Sequence, residues 1–265
     1  MKIVVVGGTG LIGSKVVEIL KSKGRDVLPA APNTGVNTLT GEGLAAALKG
    51  SDVVIDVTNS PSFDDAAAMD FFTRSSRNLL QGEAVARTRH HVALSVVATE
   101  RLQQSGYFRA KLAQERAIEA SGIPYTLLHA TQFFEFIRGI AQTATVNKKV
   151  LLPPVEFQPM AARDVAEFLA EASLAMPRNA MVEVAGPVKY RMDQLTARVL
   201  AFDHDPRPVI TDPDARYYGL KIEGDVLLPG PDARLGTTSF DWWLRNVPPP
   251  KPAAAVSRPS APAHA

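Results

Sequence analysis

The chain contains no cysteine. That single absence excludes disulfides, thiolate metal sites and cysteine nucleophiles, and it suits a cytoplasmic setting. An excess of either charge is missing too: 29 Lys and Arg stand against 27 Asp and Glu. So even a balance argues against a nucleic-acid or anionic-membrane partner. The nearest basic cluster, Arg87, Arg89, His90 and His91, is short and reads as a solvated helix end. Long apolar runs are also absent. Ile3–Val6 stops at Gly7, too soon for a signal-peptide core, and nothing approaches the roughly 20 apolar residues of a membrane span. The histidines show no metal-ligand spacing, so no metal is expected. What remains is the composition of a soluble globular protein, 265 residues long and 46% hydrophobic, enough for one large α/β domain with a small appendage.

Short apolar runs alternate with amphipathic stretches through the first half. Residues 3–6, 27–30, 53–57, 92–97 and 125–128 read as strands, and 12–23, 44–49, 71–85 and 107–120 as helices. Pro29 cannot donate to a sheet ladder and belongs near the end of a strand. This β-α alternation predicts a Rossmann-type, doubly wound parallel sheet with helices on both faces and ligands at the strands' carboxyl edge. After about residue 150, proline-punctuated short elements such as 164–174 and 192–201 predict a small C-terminal α/β substrate lobe. The expected organisation is therefore a dinucleotide-binding domain over 1–150, a small lobe over 151–246 that returns to the sheet, and a Pro/Ala-rich disordered tail over 247–265.

Gly7, Gly10 and Gly13 lie three apart, directly after the first strand and at the opening of the first helix. One glycine permits the tight turn, one lets a pyrophosphate approach the backbone, and one lets helix and strand pack closely. Free amides at the helix N-terminus then face the phosphates. Gly8, Gly10 and Gly13 satisfy the rival G-x-G-x-x-G spacing, so the string leaves two registers open. Thr9, Leu11 and Ile12 complete the phosphate loop. An NAD site places an acidic residue roughly 20 positions on, at the end of the second strand. Here Val27 to Gly41 contains none. Asn33 and Thr34 offer donors there and Lys15 a positive charge, so NADP(H) is the expected cofactor, with NAD(H) as the alternative.

Tyr107 and Lys111 are four apart and share one helix face. An ammonium beside a phenol lowers its pKa toward the working range, and the same lysine can hold the nicotinamide ribose. Ser95, twelve residues before Tyr107, ends a strand and can hold a substrate carbonyl oxygen.

Strand–GGTGLIG–helix, a serine ending a mid-chain strand and Tyr-x-x-x-Lys on the next helix resemble the short-chain dehydrogenase/reductase superfamily. "SGIPYTLLHATQFFEF", "FQPMAARDVAEFLAEA" and "VEVAGPVKYRMDQL" are similar to successive segments of its atypical, NmrA-like NAD(P)-binding branch. The likeness covers roughly residues 1–245. It implies that Gly7, Gly10 and Gly13 bind pyrophosphate, that Tyr107 is the acid/base, Lys111 its activator and ribose ligand, and Ser95 the carbonyl anchor. Asn59 and Ser60 would line the nicotinamide-ribose side, and Gln132, Phe133, Phe134 and Phe136 an apolar substrate wall. Two departures stand out. His129-Ala130 occupies the place of the branch's usual Arg-Pro, and Ser95-Val96 that of its double serine, with Thr99 as the fallback hydroxyl.

The function expected is hydride transfer between NADP(H) and a small carbonyl or alcohol, by a cytoplasmic protein that works alone or as a homodimer. The alternatives are a dinucleotide-sensing regulator without turnover and, ranked lower, a nucleotide-sugar epimerase.

Overall fold

The computed structural model describes residues 1–248. In chain order its elements are β1 (Lys2–Val6), α1 (Gly13–Ser22), β2 (Asp26–Ala30), α2 (Leu44–Leu48), β3 (Val53–Asp56), α3 (Asp65–Ala86), β4 (His90–Val96), α4 (Gly106–Glu119), β5 (Tyr125–Ala130) and α5 (Ile137–Thr143). Then follow β6 (Thr145–Val146), β7 (Lys149–Leu152), β8 (Glu156–Phe157), α6 (Ala162–Leu174), β9 (Ala180–Ala185), β10 (Tyr190–Arg191), α7 (Met192–Phe202), β11 (Val209–Thr211), β12 (Arg234–Leu235) and α8 (Phe240–Asn246). Of the expected tail, all but Val247 and Pro248 lies outside the described residues.

Seven parallel strands form the main sheet, in the order β12-β9-β5-β4-β3-β1-β2. β1 shows why both faces are covered. Its Ile3 and Val5 pack with Val16, Leu20, Val165 and Leu169 from α1 and α6. Val4 and Val6 pack with Leu44, Leu48 and Leu79 from α2 and α3 on the other side. A strand buried on both faces is a continuous apolar run, which is how β1 reads in the sequence. β2 is the edge strand, and Pro29 sits within it opposite Val5; an edge tolerates a residue that donates nothing outward.

Strand order reverses at β1, which lies between β2 and β3. That is the switch point where open α/β sheets bind ligands. A second apolar core, with Phe134, Phe157, Leu195, Phe240 and Trp243, lies beyond the carboxyl edge and joins α5, α7 and α8 to the three-stranded sheet β11-β7-β6. Its elements come from both sides of residue 150, while α6, β9 and β12 return to the main sheet.

The solvated end expected at His90 and His91 is replaced by a buried strand. Both residues lie on β4, 3% and 1% exposed. Their rings are held by polar partners: His90 Nε2 lies 2.9 Å from Thr126 Oγ1, and His91 Nδ1 lies 2.8 Å from Glu83 Oε1. Arg87 and Arg89 do remain exposed. The third helix begins at Asp65, earlier than the apolar pattern from Phe71 indicates, because Asp64 caps it by accepting from the Ala67 amide at 3.0 Å. Among the described residues no helix is long and apolar enough to cross a membrane.

Candidate functional site

The glycine turn leaves β1 at the switch point, and the backbone assigns each glycine a task. Gly7 has φ +81°, a left-handed conformation that glycine adopts without strain. A Cβ on Gly13 would stand 2.1 Å from the Gly7 carbonyl oxygen, and one on Gly8 2.6 Å from the Val5 carbonyl oxygen. Gly8 and Gly13 are therefore packing glycines. Gly10 is different. It is exposed, and a Cβ there would meet only the Gly7 carbonyl oxygen at 3.3 Å. Beside it the amides of Thr9, Leu11 and Ile12 make no hydrogen bond among the described residues. An outward-facing glycine with unpaired amides at a helix N-terminus is a cradle for an anion, and the dipole of α1 adds to it. The residues fit a dinucleotide diphosphate.

On the ribose side, Thr9 Oγ1 donates to Asn33 Oδ1 at 3.0 Å, linking the glycine turn to the segment after β2. Asn33 is exposed, with no carboxylate from Ala31 to Thr34. Thr34 is exposed, but its hydroxyl is engaged: it donates to the Ala31 carbonyl and accepts from the Ala31 amide, each at 2.9 Å. It closes its own turn rather than facing a ligand. Lys15 is half-buried on the first turn of α1.

α4 carries the second constellation. Its first residue, Gly106, donates to Asp65 Oδ1 at 3.1 Å, and Arg109 Nη2 donates to Asp65 Oδ2 at 2.7 Å. These bonds fix the helix start and with it Tyr107, whose hydroxyl donates to Asn59 Oδ1 at 3.0 Å. Asn59 lies just beyond the carboxyl end of β3 and also accepts from the Ser60 amide. The Ser60 hydroxyl donates to the Ser62 carbonyl at 2.7 Å, so it holds the loop's shape.

The expectation that Lys111 lowers the phenol's pKa is not met. Tyr107 is pushed up to about 12 because the rings of Phe63, Phe72 and Phe108 exclude water from it. Lys111 points elsewhere. Its Nζ donates to the Leu94 carbonyl at 2.9 Å and to Gln114 Oε1 at 2.5 Å, and it stands over the Phe72 ring. Burial lowers its pKa to about 8, against the pull of Asp56 and Glu115. Two of its three donors are committed, which leaves one.

Ser95 is likewise engaged. It is buried, donates to Glu115 Oε1, and lies 3.5 Å from Thr99 Oγ1. Glu115 also stands 3.1 Å from His129 Nε2. Ser95 and His129 are paired across β4 and β5, so one carboxylate from α4 is hydrogen-bonded to β4 and lies against β5. Gln114 does the same for β3, donating to Asp56 Oδ2 at 2.9 Å. Sequence reasoning missed Asp56, Gln114 and Glu115. The available signal was that Lys111, Gln114 and Glu115 share a face at spacings of three and four, where a buried helix normally shows apolar residues.

The substrate wall divides. Phe134 is fully buried, with Phe240 and Trp243 at ring distances of 5.5 and 5.4 Å. It belongs to the second core and not to the site. Phe133 is 9% exposed, and Phe136, stacked on it at 5.2 Å, is exposed. Gln132 is buried at the end of β5 with Oε1 unpartnered among the described residues. A buried amide oxygen left without a partner is costly, and a ligand donor would satisfy it.

No model of a known protein family matches the chain. Among curated proteins it is 25% identical to the photosystem II assembly factor Ycf39 of Cyanophora paradoxa, over 52% of this chain and 48% of that protein. It is 30% identical to an isoflavone reductase-like protein of Olea europaea, over 58% of this chain and 54% of that one. The chain thus spans about half the length of these relatives. Among solved structures, MoeE5 in complex with UDP-glucose and NAD matches with a TM-score of 0.70 at 18% identity, covering 92% of this chain and 96% of that one, a likeness of fold. The sheet order, the glycine turn at its switch point and the solved structure together give the chain a Rossmann-type α/β fold, and in sequence it is similar to these curated relatives over about half their length.

Proposed function

We propose that this protein is an NADP(H)-dependent oxidoreductase that moves hydride between a nicotinamide and a small carbonyl or alcohol, with the lobe built around α5, α7 and α8 selecting the substrate. The carrying observation is that one sheet edge presents both an open anion cradle at Gly10 and a protonated phenol at Tyr107. Bound there, the reduced dinucleotide supplies a hydride. Leu11 and Ile12 amides hold the diphosphate. Asn59, Ser60 and the free donor of Lys111 are assigned to the nicotinamide ribose, and Asn33 and Lys15 to the adenosine side, where the missing carboxylate favours a 2′-phosphate.

Tyr107 gives its hydroxyl proton to the carbonyl oxygen as hydride reaches the carbonyl carbon, yielding an alcohol. Solvent then reprotonates the phenolate. A phenol held near 12 is protonated at neutral pH, which suits the reductive direction. Ser95 serves as the carbonyl anchor once its bond to Glu115 is exchanged.

One observation favours a second reading, dinucleotide sensing without turnover. Lys111 is bound to Leu94 and Gln114 rather than facing the phenol. A thermal-shift titration with NADPH and NADH, followed by NADPH oxidation against a panel of aldehydes, ketones and quinones, separates the two. The enzyme reading expects stronger stabilisation by NADPH, and turnover that Tyr107→Phe abolishes while cofactor binding survives. Cofactor binding without turnover of any carbonyl supports the sensor; equal stabilisation by both cofactors ends the NADP preference.

A further inference from the structure

Beside Tyr107 the chain gathers aromatic rings from distant segments. Phe63, in the loop after β3, is 61% exposed, yet its ring centroid lies 5.3 Å from that of Tyr107. Tyr218, 45% exposed, stacks on Phe63 at 5.9 Å with planes 24° apart. Tyr217 lies half-buried below, edge-on to Tyr218 at 4.8 Å. Tyr218 and Gly219 form a two-residue turn in which Tyr217 and Leu220 exchange both backbone hydrogen bonds. Both turn residues have positive φ, +48° and +82°. This is the mirror-image hairpin turn whose first position favours Asn or Gly, and a tyrosine there is strained. Strain retained at a turn that stacks a ring on Phe63, itself packed against the candidate acid Tyr107, is the kind that marks ligand recognition. Two large exposed rings stacked on each other, instead of being buried in either core, give the same indication.

We propose that Phe63 and Tyr218, with Tyr107 packed against Phe63, recognise a planar aromatic carbonyl substrate by ring stacking. This rests on the oxidoreductase reading of the same site. An incoming aromatic ring replaces the Phe63–Tyr218 contact with ring contacts of its own. A saturated ring of similar size recovers only the area burial. Loss of one aromatic pair corresponds to a factor of up to about ten in affinity.

The test compares 2-acetylnaphthalene with its fully saturated decalin counterpart, binding to the full chain loaded with NADP+, by calorimetry or ligand-observed NMR. NADP+ prevents reduction during the measurement. The expected result is about tenfold tighter binding of the aromatic ketone. Phe63→Leu should erase the preference and Tyr218→Phe keep it. Tyr218→Asn, which relieves the left-handed turn and so protects the fold, should also erase it. Equal binding of the two ketones, binding of neither, or a preference that survives both Phe63→Leu and Tyr218→Asn overturns the proposal. The two readings fail separately. If only aliphatic carbonyls bind and are reduced, the oxidoreductase stands and the aromatic site falls. If the aromatic preference is present but no carbonyl is reduced with NADPH, the aromatic site stands and the oxidoreductase falls.

Discussion

A pair of glycine-to-alanine changes separates the packing role of the glycine turn from its ligand role. In Gly13→Ala the new methyl group meets the Gly7 carbonyl oxygen at 2.1 Å and Gly8 Cα at 2.7 Å. Both contacts are backbone, so α1 must move away from the end of β1. Overpacking of this kind costs about 1–3 kcal/mol, and 2.1 Å puts this case toward the top of that range. Alanine's smaller unfolded-state entropy returns about 0.4–1 kcal/mol. The net loss is then about 2 kcal/mol, which lowers the Tm by roughly 4–8 °C for a domain of this size. In Gly10→Ala the methyl group meets one atom at 3.3 Å, so the apo Tm should stay within about 2 °C of the parent. That methyl group occupies the open face to which the proposed function assigns the diphosphate. Stabilisation by NADPH follows the logarithm of ligand concentration over Kd; Gly10→Ala should therefore need at least about tenfold more NADPH for the same rise. A melting series from micromolar to millimolar NADPH reads both effects. The assignment is refuted if Gly10→Ala is stabilised by NADPH as the parent is, or if Gly13→Ala melts with the parent.

Three further outcomes follow from the buried polar groups. Glu115→Ala leaves the Ser95 hydroxyl and His129 without their carboxylate in a buried site and should cost about 3 kcal/mol in urea unfolding; a loss under 1 kcal/mol denies Glu115 a structural role. His90 is lowered to about 4 from an ordinary 6.5 by burial, so on acidification the unfolded chain takes up the proton first. Its contribution is therefore complete above pH 6.5 and is lost as pH falls toward 4, roughly 3 kcal/mol in all. His91 works in the opposite sense, because Glu83 raises it. The measurement is accordingly the difference between the parent and His90→Asn, whose acid loss should be smaller; equal acid loss in both dismisses the effect. Lys111 discharges near pH 8 while Tyr107 stays protonated to about 12. kcat/KM for NADPH oxidation should thus fall above pH 8 in the parent, and the limb should be missing in Lys111→Met.

The fold was legible because each strand of the first half is a short apolar run between turn residues, and two-sided burial produces such a run in a parallel sheet. Its glycine turn was legible in place but not in register. Two spacings shared the string, and only the backbone shows that Gly8 and Gly13 are jammed while Gly10 is open. His90 and His91 misled because periodicity reads histidine as polar, whereas β4 buries both rings against Thr126 and Glu83. Phe134 misled in the reverse sense: an aromatic next to Gln132 and Phe133 suggests a wall, but the second core lies on that side of the strand exit and takes the ring. The polar face of α4 shows the limit of pattern reading most plainly. Tyr107 and Lys111 share a face, as their spacing requires, yet their side chains part company. Lys111 finds Leu94, Gln114 and the charge of Asp56 deeper in the sheet edge, and Tyr107 is left to Asn59 and the surrounding rings. Gln114 is a local partner, but Leu94, Asp56 and Asn59 come from β4, β3 and the loop after β3, separated in their contacts by 17, 58 and 48 residues, and no local motif encodes them.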